Sequence, residues 1–163
     1  MITISLINFI LTGNFGRISL GMTKNEVIEY LGNPNEVADF GTGASSLFYN
    51  GFEFFYWTDK EKIFAIQNDN LEILFTDKSK YKLNDNIIID TSFFFFGQSL
   101  TYKHLTEYLK QESIKFDIID RGEYDVIKFL SGVTFDFENK KLAQDKYDKG
   151  SLKLNGIRYE QID

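Results

Sequence analysis

The sequence predicts an α+β fold, an antiparallel β-sheet covered on one face by helices. Two segments carry helix-start signals followed by apolar residues at i, i+3 and i+4. Short alternating apolar runs lie between them, joined by Gly-containing turns, and these hairpins leave little room for the crossover helices that parallel strands need. At 163 residues the chain fits one domain, 1–163. Its 43% hydrophobic content is close to the globular norm of about 45–50%, which excludes disorder for most of the chain.

The opening run from Ile2 to Leu11 is apolar. Ile4, Ile7 and Leu11, with Leu6 and Ile10, form a helical stripe that predicts a short amphipathic helix ending near Thr12 and Gly13. The alternation Ile2, Ile4, Leu6 allows a strand instead. The first basic residue is Arg17, and Thr3, Ser5 and Asn8 interrupt the run, so no secretory signal is expected. It is also shorter than the roughly 18 apolar residues of a membrane-spanning helix.

Thr23-Lys24-Asn25-Glu26 is a capping box, in which hydroxyl and carboxylate satisfy backbone donors of the first helical turn. The helix it opens should stop at Leu31, before Gly32-Asn33-Pro34, with Val27, Tyr30 and Leu31 on one buried face. A loop around Gly41-Thr42-Gly43 leads to a strand from Ser46 to Tyr49. Asn50-Gly51 tolerates the positive φ of a two-residue hairpin turn, and Phe52 to Trp57 returns. After the turn Thr58 to Glu61 come strands at Lys62 to Gln67 and Leu71 to Phe75. The polar stretch Asp77 to Asn86 reads as a linker, and Ile87 to Phe96 as a buried strand.

A second helix opens near Ser99 to Thr101 and runs to Gln111, with Leu105, Tyr108 and Leu109 on one side. Strands follow at Lys115 to Ile119, Tyr124 to Leu130, Val133 to Phe137 and Lys141 to Tyr147, turned by Arg121-Gly122 and Ser131-Gly132. The tail Leu152 to Tyr159 adds an edge strand. Glu29-Tyr30-Leu31 matches Glu107-Tyr108-Leu109 at an offset of 78, and Asn50-Gly51-Phe52-Glu53-Phe54 matches Ser131-Gly132-Val133-Thr134-Phe135 at an offset of 81. A tandem repeat of a helix plus hairpin unit, spanning 13–76 and 87–147, therefore stands beside a single sheet without internal repetition.

Composition narrows the chemistry. Cysteine is absent, which removes disulfides, thiolate catalysis and thiolate-ligated zinc and fits the cytoplasm. A net charge of -6 and a pI near 4.9 oppose nucleic acid and anionic membrane and favour a basic protein partner. The single histidine, His104, lies in a helix without an evident acidic orienter or nucleophile, and reads as a surface residue. Gly41 to Ser46 resembles a phosphate loop only faintly: it has no following lysine and leads into a strand. Asp136 and Glu138 alternate with Phe135 and Phe137, which places them on a solvent face, and no calcium-loop pattern occurs. No catalytic residue, cofactor or metal is expected.

Aromatic residues are abundant, with 17 Phe, 9 Tyr and 1 Trp. Phe54, Phe64, Phe75, Phe129 and Phe135 fit strand cores. Phe54-Phe55-Tyr56-Trp57 sends consecutive rings to opposite faces, so some of Tyr49, Tyr56 and Trp57 should be exposed, where Tyr and Trp anchor protein interfaces. Asp117, Asp120, Glu123 and Asp125 surround the Arg121-Gly122 turn and could meet a basic cleft. Tyr56, Trp57, Asp117, Asp120, Glu123 and Asp125 are thus the candidate partner-binding residues.

The segment Gly21-Met22-Thr23-Lys24-Asn25-Glu26-Val27, followed by Leu31-Gly32-Asn33-Pro34, resembles the G-M-T-x-x-E-V…L-G-x-P signature of small bacterial domains related to the SmpA-type outer-membrane assembly lipoprotein and the β-lactamase inhibitor protein. The resemblance covers some 20 residues of the sequence. It implies helices packed on an antiparallel sheet, a unit that the inhibitor protein carries in tandem, and action by binding proteins. This chain has no lipidated cysteine, and its acidic profile is more similar to cytoplasmic immunity proteins. The expectation is a bacterial, non-enzymatic immunity protein that neutralises a cognate toxin by occluding its active site. The alternatives are a scaffold domain that forms a homodimer through the edge strand Leu152 to Tyr159, and a carboxylate- or metal-dependent enzyme.

Overall fold

The computed structural model describes residues 1–71, 79–94, 100–140 and 149–161. The expected strands Leu71 to Phe75 and Lys141 to Tyr147 lie almost wholly outside these residues, as does Phe75. The opening run is both strand and helix: β1 (Ile2–Ser5) passes directly into α1 (Leu6–Thr12). Ser5 caps the helix by accepting from the Asn8 amide, and Gly13 ends it with a φ of 76°. That left-handed value is why a glycine is needed there.

The capping box forms as expected. The Thr23 hydroxyl accepts from the Glu26 amide, the Glu26 carboxylate accepts from the Thr23 amide, and α2 spans Lys24–Leu31. Strand β2 (Glu36–Asp39), which the sequence reading missed, begins just beyond Pro34. β3 (Ala44–Tyr49) and β4 (Phe52–Trp57) close on Asn50-Gly51 with φ values of 41° and 99°, and β5 (Ile63–Asn68) follows. The buried Tyr49 hydroxyl donates to the Gly32 carbonyl at 2.7 Å, which ties β3 to the end of α2; burial pushes this phenol up to about 12.

Part of the expected polar linker is a strand. β6 (Lys80–Lys82) pairs with β7 (Ile87–Asp90), which pairs in parallel with β1 in a small three-stranded sheet. The apolar run from Ile87 does not continue as strand, because a 3-10 turn occupies Ser92–Phe94. Thr101 caps α3 (Tyr102–Gln111), and β8 (Phe116–Asp120), β9 (Asp125–Phe129), β10 (Thr134–Phe137) and β11 (Leu154–Glu160) complete the chain.

Eight strands form one antiparallel sheet in the order β2-β3-β4-β5-β11-β10-β9-β8. It consists of two four-stranded meanders, each preceded by a helix, with β5 and β11 joined at the centre. Contacts at the two helix starts also correspond. Lys24 and Ile63 bond to the carbonyls of Glu61 and Met22, and Tyr102 and Leu154 bond to those of Leu152 and Leu100. The matched tripeptides fall at the end of α2 and two residues before the end of α3, and the matched pentapeptides make the β3–β4 and β9–β10 hairpins. β11 is central rather than an edge, because both of its sides are occupied, by β5 and β10.

The core lies on one face of this sheet. Phe15 packs edge-on to Phe54 at 5.4 Å and against Phe52 at 4.8 Å, Phe9 of α1 meets Tyr159 at 6.2 Å, and Tyr102 of α3 meets Phe137 at 5.2 Å. Each such ring buries roughly 150–250 Å². Among the described residues no helix is long and apolar enough to cross a membrane.

Candidate functional site: the open face of the sheet

Strand alternation sends the residues between the core positions to the opposite face, against which no helix packs among the described residues. Cross-strand pairing there defines a belt through all eight strands: Glu36, Phe48, Glu53, Gln67, Arg158, Thr134, Lys128 and Asp117. One step along β4, Phe55 sits beside Ala65 and Ser46.

A β-bulge shapes this face. Phe55 is opposite Ala65 and Tyr56 is opposite Ile63, so Phe64 is the extra residue, and a bulge of this kind re-aims a side chain. Phe64 stacks on Trp57 with centroids 4.1 Å apart and planes at 20°, and it also meets Phe55 at 6.1 Å. Phe55 in turn stacks on Phe40 at 5.8 Å. The four rings form a continuous platform on which Trp57 is 38% and Phe40 47% exposed.

Charge lies beside the platform. Glu53 is half-buried and makes no hydrogen bond or ion pair among the described residues; burial, with Asp69 and Glu36 nearby, pushes its carboxyl above the usual range. Asp69 accepts from the Gln67 amide at 3.2 Å and reaches Arg158 at 4.0 Å. Over the second meander the same face dips into a cleft of about 530 Å³ whose walls include Ile119, Tyr124, Lys128, Asp136 and Arg158. The Asp136 carboxylate accepts from the Asn155 amide at 2.9 Å and lies over Gly156, where a Cβ would come within 3.0 Å of it. Burial pushes the Asp136 carboxyl up, against the pull of that amide.

The structure divides the six expected site residues. Trp57 is on the open face, and Asp117 closes the belt at the β8 edge. Five strand spacings separate their strands, about 24 Å. Asp120 and Glu123 are exposed near the β8–β9 hairpin: Asp120 accepts from the Gly122 amide at 2.7 Å and from Lys140 at 3.1 Å, which hold its carboxyl below the usual range. Glu123 accepts from the Asn139 amide at 3.4 Å.

Two expectations are corrected. Tyr56 shares the parity of Phe52 and Phe54 and is buried on the helix side, with the Lys24 ammonium 5.4 Å from its ring centre. Asp125 shares the parity of Ile127 and Phe129 and is 0% exposed. Lys140 at 2.9 Å and Lys149 at 2.8 Å neutralise it, so it braces the end of β9 and offers no surface to a partner. Phe64, expected in the core, is on the open face instead. The sequence reading missed Phe40, Phe55, Phe64, Glu53 and Arg158 as open-face residues. For Glu53 and Phe55 the signal was odd-even alternation against Phe52 and Phe54, and for Arg158 alternation against Ile157; Phe40 lies beyond the end of β2 and Phe64 is displaced by the bulge.

His104 is exposed on α3, as expected. Gly41 and Gly43 adopt φ values of 66° and 84° in the turn between β2 and β3. Among the described residues no group of three or more His, Asp or Glu side chains is placed to hold a metal ion. Comparison with family models, curated proteins and solved structures finds no match to this chain.

Proposed function

We propose that this chain is a protein-binding domain whose open sheet face grips a folded partner, and that it serves as a bacterial immunity protein which occludes the active site of a cognate toxin in the cytoplasm. The observation that carries the reading is the platform of Phe40, Phe55, Phe64 and Trp57, its outer rings Phe40 and Trp57 exposed and the other two half-buried, on a face that no helix among the described residues covers. Isolated exposed rings are ordinary, but a contiguous stacked group is a feature of interaction surfaces, where aromatic anchors contribute most of the binding energy. The net charge of -6 favours a basic partner surface and faster encounter. The resemblance to inhibitor domains that act by binding proteins, and the two meanders each led by a helix, fit this reading.

The scaffold alternative loses its proposed edge, since Leu154–Glu160 is central. The true edges β2 and β8 each carry acidic side chains, Glu36 and Asp39 on one and Asp117 and Asp120 on the other, and like charges disfavour edge-to-edge pairing.

The experiment uses the gene immediately upstream, where that gene encodes a large secreted protein with a variable C-terminal domain. Produced alone in the cytoplasm, that domain should arrest growth, and co-production of this chain should relieve the arrest. Trp57→Ala should lose protection while retaining the parent's thermal transition. Arrest that persists with the wild-type chain present contradicts the reading.

A further inference from the structure

The aromatic platform and the bare carboxylate of Glu53 are neighbours. Phe55 and Glu53 are two residues apart on β4 and face the same way, and Phe48 and Gln67 flank Glu53 across the sheet. The charge pattern is lopsided. On the first meander the belt contains Glu36 and Glu53 and no cation, while its two basic residues, Arg158 and Lys128, lie on the second. The belt cation nearest Glu53, Arg158, lies 4.0 Å from Asp69. A half-buried carboxylate without a partner costs stability, and next to exposed rings it complements a cation that arrives together with apolar surface.

We propose that the first-meander half of the open face receives a projecting loop of the partner protein carrying a lysine or arginine beside an apolar side chain. The cationic head sits among Glu36, Glu53 and Asp69, and the apolar side chain lies on the Phe55–Phe64–Trp57 rings. This inference rests on the protein-binding reading and specifies the partner's contact chemistry. A guanidinium or ammonium gains a charge-assisted bond to Glu53, and its alkyl stem covers the edge of the platform. An acidic or purely polar loop gains neither.

Trp57 is the only tryptophan, so its emission reports on this face without a label. The probes are two cyclic hexapeptides that differ only in presenting Lys-Phe or Glu-Phe at the turn. The Lys-Phe peptide should produce a saturable change in Trp57 emission, the Glu-Phe peptide none, and Glu53→Gln should weaken the Lys-Phe peptide about tenfold. Equal binding of both peptides, unchanged affinity in Glu53→Gln, or no saturable change up to roughly 10 mM overturns the inference. So does emission that varies with protein concentration alone, which would make a second copy of the chain the occupant. Where the toxin is in hand, full protection by Glu53→Gln alongside its loss in Trp57→Ala would overturn the cationic contact and leave the toxin-binding reading intact.

Discussion

Two carboxylates in neighbouring meanders show opposite uses of charge. Asp125 is sealed and doubly paired with Lys140 and Lys149, and its hydrogen bonds raise the affinity of both ammonium groups for their protons. Removing it takes from Lys149 its carboxylate and leaves Lys140 with Asp120 alone among the described residues, and both can swing partly into water, so Asp125→Ala should lower unfolding stability by about 2 kcal/mol in urea titration. Glu53 is the reverse case. Burial and the like charges of Asp69 and Glu36 raise its carboxyl above the 4.5 of a free glutamate, so the folded chain binds its proton more tightly than the unfolded chain. The resulting penalty is absent below that ordinary value and complete above the raised one. Glu53→Gln should therefore raise the melting temperature at pH 7 and leave it little changed at pH 3. Equal shifts at both pH values would contradict this assignment. A side chain that weakens the fold at neutral pH fits a surface kept for binding.

At the scale of elements, local signals in the sequence fared best where one or two residues dictate backbone geometry. The capping box of Thr23 and Glu26 and the Asn50-Gly51 turn are of this kind. Thr23→Ala should cost about 1 kcal/mol by urea titration. Gly13 makes a stronger demand: its φ is 76° and a Cβ would lie 2.9 Å from the Tyr159 ring. Left-handed strain alone is about 1–2 kcal/mol, so Gly13→Ala should destabilise more than Thr23→Ala, and the reverse order would show that the end of α1 adjusts freely. Alternation gave each strand two faces, but which face meets the helices is a tertiary matter. Hence Tyr56 and Trp57, adjacent in sequence, are both candidate partner-binding residues by sequence although only Trp57 is exposed. Asp125 was legible in hindsight from Ile127 and Phe129, whose parity it shares. Phe64 was not, because a bulge breaks the alternation that would have revealed it. The short strand Lys80–Lys82 was hidden by its composition, since two of its three residues are exposed lysines.

On the scale of the whole molecule, strand order was the least legible property. Nothing local in Leu154–Glu160 distinguishes an edge from a centre, and only the pairing of β11 with both β5 and β10 decides it. Among the described residues that seam is the strand-to-strand link between the meanders in the large sheet, and it makes the face continuous. Hydrogen exchange should find the amides of Ile66 and Tyr159 among the slowest in the chain, opening only with global unfolding. Fast exchange there would mean that the halves part independently. The central claim is that this continuous open face, which no helix covers among the described residues, and not the helical side, holds the partner. Calorimetric titration of the toxin domain against Trp57→Ala/Phe64→Ala and against Lys103→Ala, an exposed α3 position, tests it most directly. The double substitution on the open face should weaken binding about thirtyfold or more with Lys103→Ala equal to the parent; undiminished affinity of the double variant, or a loss confined to Lys103→Ala, would contradict it.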